Sequence, residues 1–489
     1  MDTRDFIKAA VLLFLFFAAG PALGFAVRRS RMGQRILFGL ICFLSISGIL
    51  HPSEWGLTLA NHADYRGHAR GFHFYFAEVL AVALIVAAAM NRKEKFRLLP
   101  PGLWLYLFYC AVSLISVFSA PAPVHVFEAA LKAFKIALIF IAAWNFFRTE
   151  EDIHFFLKAM AWTMTWEMVV VLKMKYVDGI YQVWGTFEHQ NALCMYATMI
   201  GLVLLAAGAG PKHRSSNLYL WGFLTCAVVV ESTLSRGGIV IFGIGTVMVM
   251  LFSLLDKITM RRVLVIGGLC LVGVLGLAMT INTIVARFND KFNADSNATR
   301  DLLNIASRQM LSDHPLGVGW NNYALVINPP WHYGDHIDKW QKKNNGVVIP
   351  GAKGISESHY YLILAENGYE GLIAYFVFIG VFLFWNIRGA WSMRHTLVGC
   401  VSFGMLLGCI MNYVQSILER CLTQPRNMLL WMILLALTSR IEFWRRLAKK
   451  GQWPPQAEQE PARRPQQTKP RVSSRFAGAQ RTTRVRIIS

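Results

Sequence analysis

Apolar residues along this chain gather into long runs that are separated by short polar segments. Runs of about 20 apolar residues match the roughly 30 Å hydrocarbon core of a bilayer. Core helices of soluble proteins are shorter and amphipathic. The pattern therefore predicts an all-α integral membrane protein with about 12–13 transmembrane helices. The predicted spans are 6–27, 36–50, 75–91, 101–119, 127–147, 157–176, 191–208, 218–234, 239–255, 263–284, 360–385, 397–415 and 428–444.

Charge between the runs indicates how the spans are oriented. Short cytoplasmic loops of membrane proteins carry an excess of lysine and arginine. Placing the arginine-rich loop at 28–35 in the cytoplasm puts the remaining basic loops there as well, at 92–97, 212–214, 257–262 and 388–394. These loops and the C-terminal tail carry much of the net charge of +21. That distribution favours anionic lipid headgroups as the partner and argues against nucleic acid binding.

Four regions follow from this topology. Residues 1–284 are expected to form an N-terminal transmembrane bundle, 285–358 a large non-cytoplasmic loop with short helices, 359–444 the C-terminal transmembrane helices, and 445–489 a basic, disordered cytoplasmic tail. A long ordered insert on an otherwise tightly looped protein usually carries function. The eight cysteines lack metal-ligand and redox spacing, so disulfides and structural zinc are not expected. No nucleotide-binding fingerprint stands out, and no cofactor is expected.

Two arginines are candidates for binding an anion. Arg308 lies in a polar, helically spaced stretch of the large loop, and Arg236 lies in a hairpin between two apolar runs that has almost no loop. An arginine at such a depth is costly unless it has a partner or a purpose. The guanidinium group suits phosphate because it donates two hydrogen bonds at once. The alternatives are a solvated Arg308 and an Arg236 that extends to the membrane interface.

A histidine and a glutamate mark the point where the large loop re-enters the membrane. Glu357 and His359 fall at the start of a predicted helix. A histidine at this position is a candidate general base, because its ordinary pKa lies near neutral pH and a helix N-terminus favours the neutral ring. Packing at the membrane interface is the alternative.

Further polar residues are placed where a glycan or a diphosphate could be bound. Lys132 and Lys135 share one face of an apolar run, and intramembrane cations usually face a cavity or an anionic partner. Another outer helix entrance and the large loop supply candidates for glycan contact, although capping explains some of them equally well. These glycan-contact candidates are Glu188, His189, Asn191, Trp320, Asn322 and Tyr323.

Three segments, taken in order, resemble the O-antigen ligase and polysaccharide polymerase family. The first is Gly185–Thr186–Phe187 with Asn191 before a helix, and the second is the Ser-Arg-Gly-Gly hairpin at 235–238. The third is the His-Pro-Leu-Gly-Val-Gly segment at 314–319, followed by a histidine-bearing helix that contains Glu366, Gly368 and Gly371. The resemblance covers about 185–380. Each motif alone is weak, and their order within the predicted topology makes the match specific.

The resemblance implies an inverting, metal-independent glycosyltransferase that moves a glycan from undecaprenyl diphosphate to an acceptor hydroxyl. It also implies that Arg236 and Arg308 hold the diphosphate and that the histidine assists the acceptor. The chain departs from the family pattern at one point. The family histidine usually stands eleven residues before the first glycine of Glu-x-Gly-x-x-Gly, where this chain has Glu357, while His359 stands nine before Gly368. Side chains two residues apart point to different helix faces, so only one of the two is expected at the reaction centre, and His359 is the favoured one.

Two other classes of function remain open from the sequence. A transporter of lipid-linked oligosaccharide would show internal repeats and ionisable residues spread over many helices, and a non-enzymatic scaffold of an envelope glycan assembly machine would tolerate changes at the candidate residues. Within the family, the acceptor is a lipid A core, another glycan or a protein hydroxyl. The resemblance also implies the inner membrane of a bacterium, with the catalytic loop periplasmic.

Overall fold

The structure, a computed structural model, describes residues 3–46, 57–59, 64–91, 95–256, 258–289, 292–345 and 353–451 of the 489-residue chain. Within these ranges the fold is almost entirely helical. The predicted cytoplasmic tail lies outside the described residues from 452 onward, so nothing is said of its structure.

The N-terminal half contains nine helices within the described ranges. Three of these helices continue into a short π-helical or 3₁₀ turn, at Leu15–Ala19, Ser116–Ser119 and Lys173–Val177. The strands β1 (Leu57–Leu59) and β2 (Phe72–Phe74) pair antiparallel. The helices are α1 Thr3–Phe14, α2 Gly20–Val27, α3 Arg31–Leu44, α4 Phe76–Ala89, α5 Leu103–Ile115, α6 Pro123–Phe146, α7 Glu150–Leu172, α8 Gln190–Ala209 and α9 Ser216–Ser232.

The C-terminal half adds eight helices within the described ranges, with a 3₁₀ turn at Cys421–Thr423. They are α10 Arg236–Asp256, α11 Met260–Asn289, α12 Phe292–Asp313, α13 Tyr323–Val326, α14 Asp335–Asn345, α15 His359–Ser392, α16 Leu397–Gln415 and α17 Pro425–Lys449.

The all-α membrane fold that the sequence predicts is confirmed. Every predicted span overlaps a helix, and seven helical segments among the described residues are long and apolar enough to cross a membrane. The number of about 12–13 transmembrane helices stays a prediction. The seven segments are Phe6–Val27, Glu150–Val177, Gln190–Ala209, Arg236–Leu254, His359–Ser392, Leu397–Gln415 and Pro425–Lys449.

Helix α8 is the central element of the bundle. Every residue from Ala192 to Ala209 is buried, and α8 packs against α9, α10 and α16. A helix that is apolar on all sides can be accommodated only where neighbours surround it completely. The ends of α8 are therefore fixed by the surrounding helices, which matters because its first residues lie at the candidate site.

A break in α15 joins the membrane bundle to the outer loop. Gly368 has φ 68° and ψ −169°, which interrupts the helix, and the loop before α13 fills the gap. The backbone N–H of Val318 donates to the carbonyl of Ala365 at 2.9 Å, and that of Gly319 donates to the carbonyl of Glu366 at 3.1 Å. Backbone groups inside a membrane protein need internal partners, so this loop satisfies carbonyls that the break releases.

The outer loop has its own small apolar core. Leu303, Ala306 and Met310 recur at helical spacing on α12 and pack with Tyr323 of α13 and with Leu362 of α15. Because residues three and four apart share a helix face, this apolar stripe turns the opposite side of α12 outward. The polar side of α12 is thereby held in a fixed position above the membrane helices.

The segment 64–74 covers this junction from the N-terminal side. Asn321 donates to the carbonyl of Ala69 at 2.9 Å and accepts from its N–H at 3.1 Å, and the ring of Tyr65 stacks on His125 at 3.7 Å between centroids. The outer loop therefore lies between the segment 64–74 and the break in α15, which are distant in sequence.

Asp152 near the start of α7 tests how much a buried carboxylate contributes to the stability of the fold. Asp152 is fully buried, binds Arg31 and Arg35, and accepts the N–H groups of Arg148 and Thr149 at 2.9 Å each. Asp152→Ala is expected to lower the free energy of unfolding by about 3 kcal/mol, because it leaves two partly buried arginines and two backbone donors without their buried acceptor. Thermal unfolding of the purified protein in detergent measures this loss.

The matched control is Asp178→Ala, which removes an ion pair of 2.8 Å with Lys173 that is largely exposed. A change within about 0.5 kcal/mol is expected there. Similar losses in the two variants would contradict the anchoring role of Asp152.

Candidate functional site

A cleft of about 660 Å³ opens where the starts of α8, α10 and α15 meet α12 and the end of α16. Its walls are mainly amide, carboxylate and guanidinium side chains. The lining residues are Gln182, His189, Gln190, Asn191, Leu234, Ser235, Arg236, Gly237, Arg300, Asp301, Asn304, Glu357, Ser358, Gln415, Ile417, Leu418 and Glu419.

Three helices begin at this cleft. Gln190, Arg236 and Ser358 line it, and they are the first residue of α8, the first residue of α10 and the N-cap of α15. The first turn of a helix carries unpaired N–H groups and the positive end of the helix dipole. Three such ends around one cleft create a positive potential from the backbone alone, which favours an anion.

The turn before α8 is fixed by a buried glutamate. Glu167 of α7 accepts the N–H and the hydroxyl of Thr186, each at 2.9 Å, and Arg426 lies over the ring of Phe187 at 5.2 Å. Gly185 has φ +57°, and a Cβ added there would collide with Glu167 Oε1. The Gly-Thr-Phe segment is therefore a structural turn that sets the start of α8.

Arg300 is the centre of an ion-pair cluster in the cleft. Its Nε donates to Glu357 Oε2, and its Nη2 donates to Glu419 Oε1 at 2.5 Å. Asn191 donates to the same Glu419 oxygen at 2.6 Å. One guanidinium thus joins α12 to the start of α15, to the segment after α16 and, through Glu419, to α8.

The two carboxylates around Arg300 differ in exposure. The side chain of Glu357 is 39% exposed, whereas that of Glu419 is 10% exposed. Burial raises the pKa of Glu419 to about 7, against the opposing effect of Arg300. Burial disfavours the charged form of a carboxyl group, so Glu419 is close to its titration point at neutral pH while Glu357 faces the open cleft.

Four of the residues singled out from the sequence line this cleft, namely Arg236, His189, Asn191 and Glu357. His189 accepts the N–H of Asn191 at its Nδ1 at 3.2 Å, which caps α8. Glu188 is exposed beside this entrance and is not among the lining residues. The cleft therefore combines the two outer helix entrances that the sequence predicted separately.

Arg308 lies elsewhere on α12. It is exposed, its Nη2 donates to the hydroxyl of Tyr361 at 2.6 Å, and it is not among the residues that line the cleft. Arg300 takes the position in the cleft that the sequence analysis gave to Arg308. A signal for Arg300 existed, because it precedes Asn304 by four residues and so shares a face with it.

His359 faces away from the cleft. It is buried, its backbone N–H donates to the carbonyl of Ser416 at 3.0 Å, and its ring lines an internal cavity of about 60 Å³ together with His68 and Glu366. His68 Nε2 lies 3.2 Å from Glu366 Oε2 in that cavity. Glu357 and His359 therefore point into different spaces, and only Glu357 reaches the cleft.

The two lysines of α6 are bound by protein groups. Lys132 donates to the carbonyls of His68 and Thr423, at 2.8 Å and 2.5 Å, and Lys135 pairs with Glu78 at 3.2 Å and donates to the carbonyl of His73. Neither is among the residues that line the cleft. The hydrogen bonds from the two lysines hold the segment 64–74 against the bundle.

The three glycan-contact candidates of the outer loop are buried. Trp320 lines the internal cavity, and Asn322 accepts the N–H of Ala122 at 3.0 Å. Tyr323 donates its hydroxyl to the carbonyl of Leu303 at 2.8 Å. These contacts hold the outer loop against the bundle, and none of the three lines the cleft.

Comparison with known proteins gives one family match. A family model described as O-antigen ligase matches residues 221–376. This segment runs from α9 into α15 and contains Arg236, Arg300 and Glu357 of the cleft. No curated protein matches the chain significantly.

The turn that starts α8 can be tested with a pair of glycines. Gly185→Ala is expected to destabilise the protein by more than about 2 kcal/mol, because positive φ alone costs roughly 1–2 kcal/mol for a residue with a Cβ and the new methyl group would also collide with Glu167. Thermal unfolding in detergent measures the loss.

Gly179→Ala is the matched control, since Gly179 has φ +68° but no atom lies within 4 Å of the position that its new methyl group would occupy. Only the conformational cost is expected at Gly179. Equal destabilisation at the two positions would contradict the role of Glu167 in setting the turn.

Proposed function

We propose that this chain, whose residues 221–376 match the O-antigen ligase family model, transfers a glycan from undecaprenyl diphosphate to an acceptor hydroxyl at the cleft. The observation that carries the proposal is the meeting of Arg236 and Arg300 with three helix N-termini in one cleft. Such a site suits the diphosphate of a lipid carrier, which has to be held while its bond to the sugar breaks.

The position of the cleft relative to the membrane supports a lipid-linked donor. The helices α8, α10 and α15 that begin at the cleft belong to the segments long and apolar enough to span a membrane. Their N-terminal ends therefore lie near one membrane surface, where the diphosphate of a lipid carrier also lies. We place this surface on the periplasmic side of a bacterial inner membrane, in keeping with the positive loops at the opposite ends.

The proposed reaction is a single displacement with inversion. The acceptor oxygen forms a bond to the anomeric carbon while the bond from that carbon to the diphosphate oxygen breaks. The leaving diphosphate keeps the electron pair and gains a negative charge, which Arg236, Arg300 and the helix ends stabilise. The proton of the acceptor hydroxyl passes to a carboxylate of the protein. No metal is required in this scheme, because arginines and backbone N–H groups supply the positive charge.

Glu357 is the proposed base. Its carboxylate is the more exposed partner of Arg300 and faces the cleft, whereas His359 lines the separate internal cavity. A general base has to lie within hydrogen-bond reach of the proton that it removes. This geometry favours Glu357 over His359, which the sequence analysis had preferred.

The length and the attachment of the envelope glycan in a strain that lacks this protein test which acceptor is used. Single repeats on the lipid carrier would identify a polymerase. Long chains that stay on the carrier and reach no acceptor would identify a ligase or a protein glycosyltransferase. Unchanged glycan length and attachment, with no redundant enzyme present, would overturn the proposed function and favour a transporter or a scaffold.

Arg300 provides the first test at the level of residues. Arg300→Gln is expected to lower the transfer rate by about 10²–10³-fold, because it removes a donor that stabilises the charge of the leaving group. The rate is measured with purified protein and lipid-linked glycan. Arg308→Gln is the matched control on the same helix, with an expected change of less than about threefold. A large loss in the control and none in Arg300→Gln would contradict the assignment.

Glu357 and His359 provide the second test. Glu357→Gln keeps the size of the side chain and removes its basicity, so kcat is expected to fall by about 10²–10⁴-fold. His359→Gln is expected to lower kcat much less, since its ring does not reach the cleft. Thermal unfolding of the two variants shows whether each is folded. Retained kcat in Glu357→Gln together with its loss in a folded His359→Gln would assign the base to His359.

A further inference from the structure

Glu419 is a carboxylate in the cleft that binds Arg300 and that the proposed reaction does not use. It lies on the segment between α16 and α17, where its side chain is 10% exposed and binds both Arg300 and Asn191. A carboxylate so nearly buried is retained only when it is well paired. A diphosphate that binds Arg300 would displace Glu419 from this ion pair.

The formal charges of the cleft do not suit an anion when every carboxylate is ionised. The lining contains the guanidiniums of Arg236 and Arg300 against the carboxylates of Asp301, Glu357 and Glu419. Like charges held close together disfavour one another's ionised forms. A diphosphate can therefore bind most readily when one of these carboxyl groups becomes neutral.

Of these carboxyl groups, Glu419 is the one placed to lose its charge. Its pKa is raised to about 7, chiefly by burial and also by the nearby Glu357, against the opposing effect of Arg300. The groups that face Glu419 come from each neighbouring element: Arg300 of α12, Glu357 before α15, Asn191 of α8, and Arg420 and Cys421 of its own segment. Arg300 is the strongest of the groups that favour the ionised form of Glu419, ahead of Asn191 and Arg420. A diphosphate bound to Arg300 would weaken this interaction and would add negative charge nearby.

We propose that Glu419 is a positioning residue that takes up a proton from solvent when a diphosphate binds, and so releases Arg300 to the ligand. The Arg300–Glu419 ion pair breaks, one proton adds to a carboxylate oxygen of Glu419, and the guanidinium turns its freed N–H groups to the diphosphate. This inference rests on the proposed function. It adds that Glu419 and the ligand compete for the same guanidinium.

The test is calorimetric titration of the purified protein with farnesyl diphosphate at pH 8, in buffers that differ in ionisation enthalpy. At this pH a group with a pKa of about 7 is roughly 10% protonated, so complete protonation on binding takes up about 0.9 proton. The dependence of the binding enthalpy on the buffer gives this number directly. Wild-type protein is expected to take up close to one proton.

Two variants assign the proton to its residue. Glu419→Gln is neutral in advance, so its proton uptake is expected to fall to near zero and its affinity at pH 8 to rise by up to about 10-fold, the factor that separates pH 8 from a pKa of about 7. Asp301→Asn removes the charge of another carboxylate that lines the cleft and is the matched control, with uptake retained. A merely structural role for Glu419 would not change the number of protons taken up, and thermal unfolding shows that each variant is folded.

The failures of the two proposals can be told apart. Wild-type protein that binds farnesyl diphosphate without proton uptake would overturn the role of Glu419 and leave diphosphate binding intact. Uptake that persists in Glu419→Gln would have the same consequence. Wild-type protein that does not bind the diphosphate at all would overturn the proposed function together with this inference.

Discussion

The break in α15 is the constraint on which the rest of the site depends. Gly368 interrupts the helix, and the freed carbonyls of Ala365 and Glu366 accept the N–H groups of Val318 and Gly319. These bonds attach the outer loop to a membrane helix, and the loop follows directly from α12. The need to pair the carbonyls that the helix break releases therefore sets the direction of α12. The direction of α12 in turn sets the position of Arg300 near the start of α15.

A cleft built on helix starts has an electrostatic consequence. The N-terminal ends of α8, α10 and α15 contribute fixed positive potential, so the side chains have to balance it when no ligand is bound. Glu357 and Glu419 do this by holding Arg300 between them. The contact with Glu357 holds the guanidinium in the cleft, which reduces the conformational entropy that Arg300 loses when an anion binds.

Local sequence patterns predicted the helices and four of the residues that line this cleft. Each long apolar run coincides with a helix, and Arg236, His189, Asn191 and Glu357 were singled out because each lies at a helix start or a tight hairpin. Arg300 and Glu419 were missed because what brings them together is packing between segments 119 residues apart. The same reason explains Trp320, Asn322 and Tyr323: aromatic and amide side chains in an outer loop look suited to sugars, and only the tertiary contacts show that they are buried.

The shared guanidinium also couples the two ends of the proposed reaction. When the acceptor hydroxyl gives its proton to Glu357, the ion pair between Glu357 and Arg300 weakens, and at that moment the leaving diphosphate gains its negative charge. Arg300 is then attracted toward the leaving group by the same proton transfer that activates the acceptor. A neutral Glu419 does not compete for the guanidinium at this stage. In the proposed reaction, a single arginine between two carboxylates would thus link deprotonation of the acceptor to stabilisation of the leaving group.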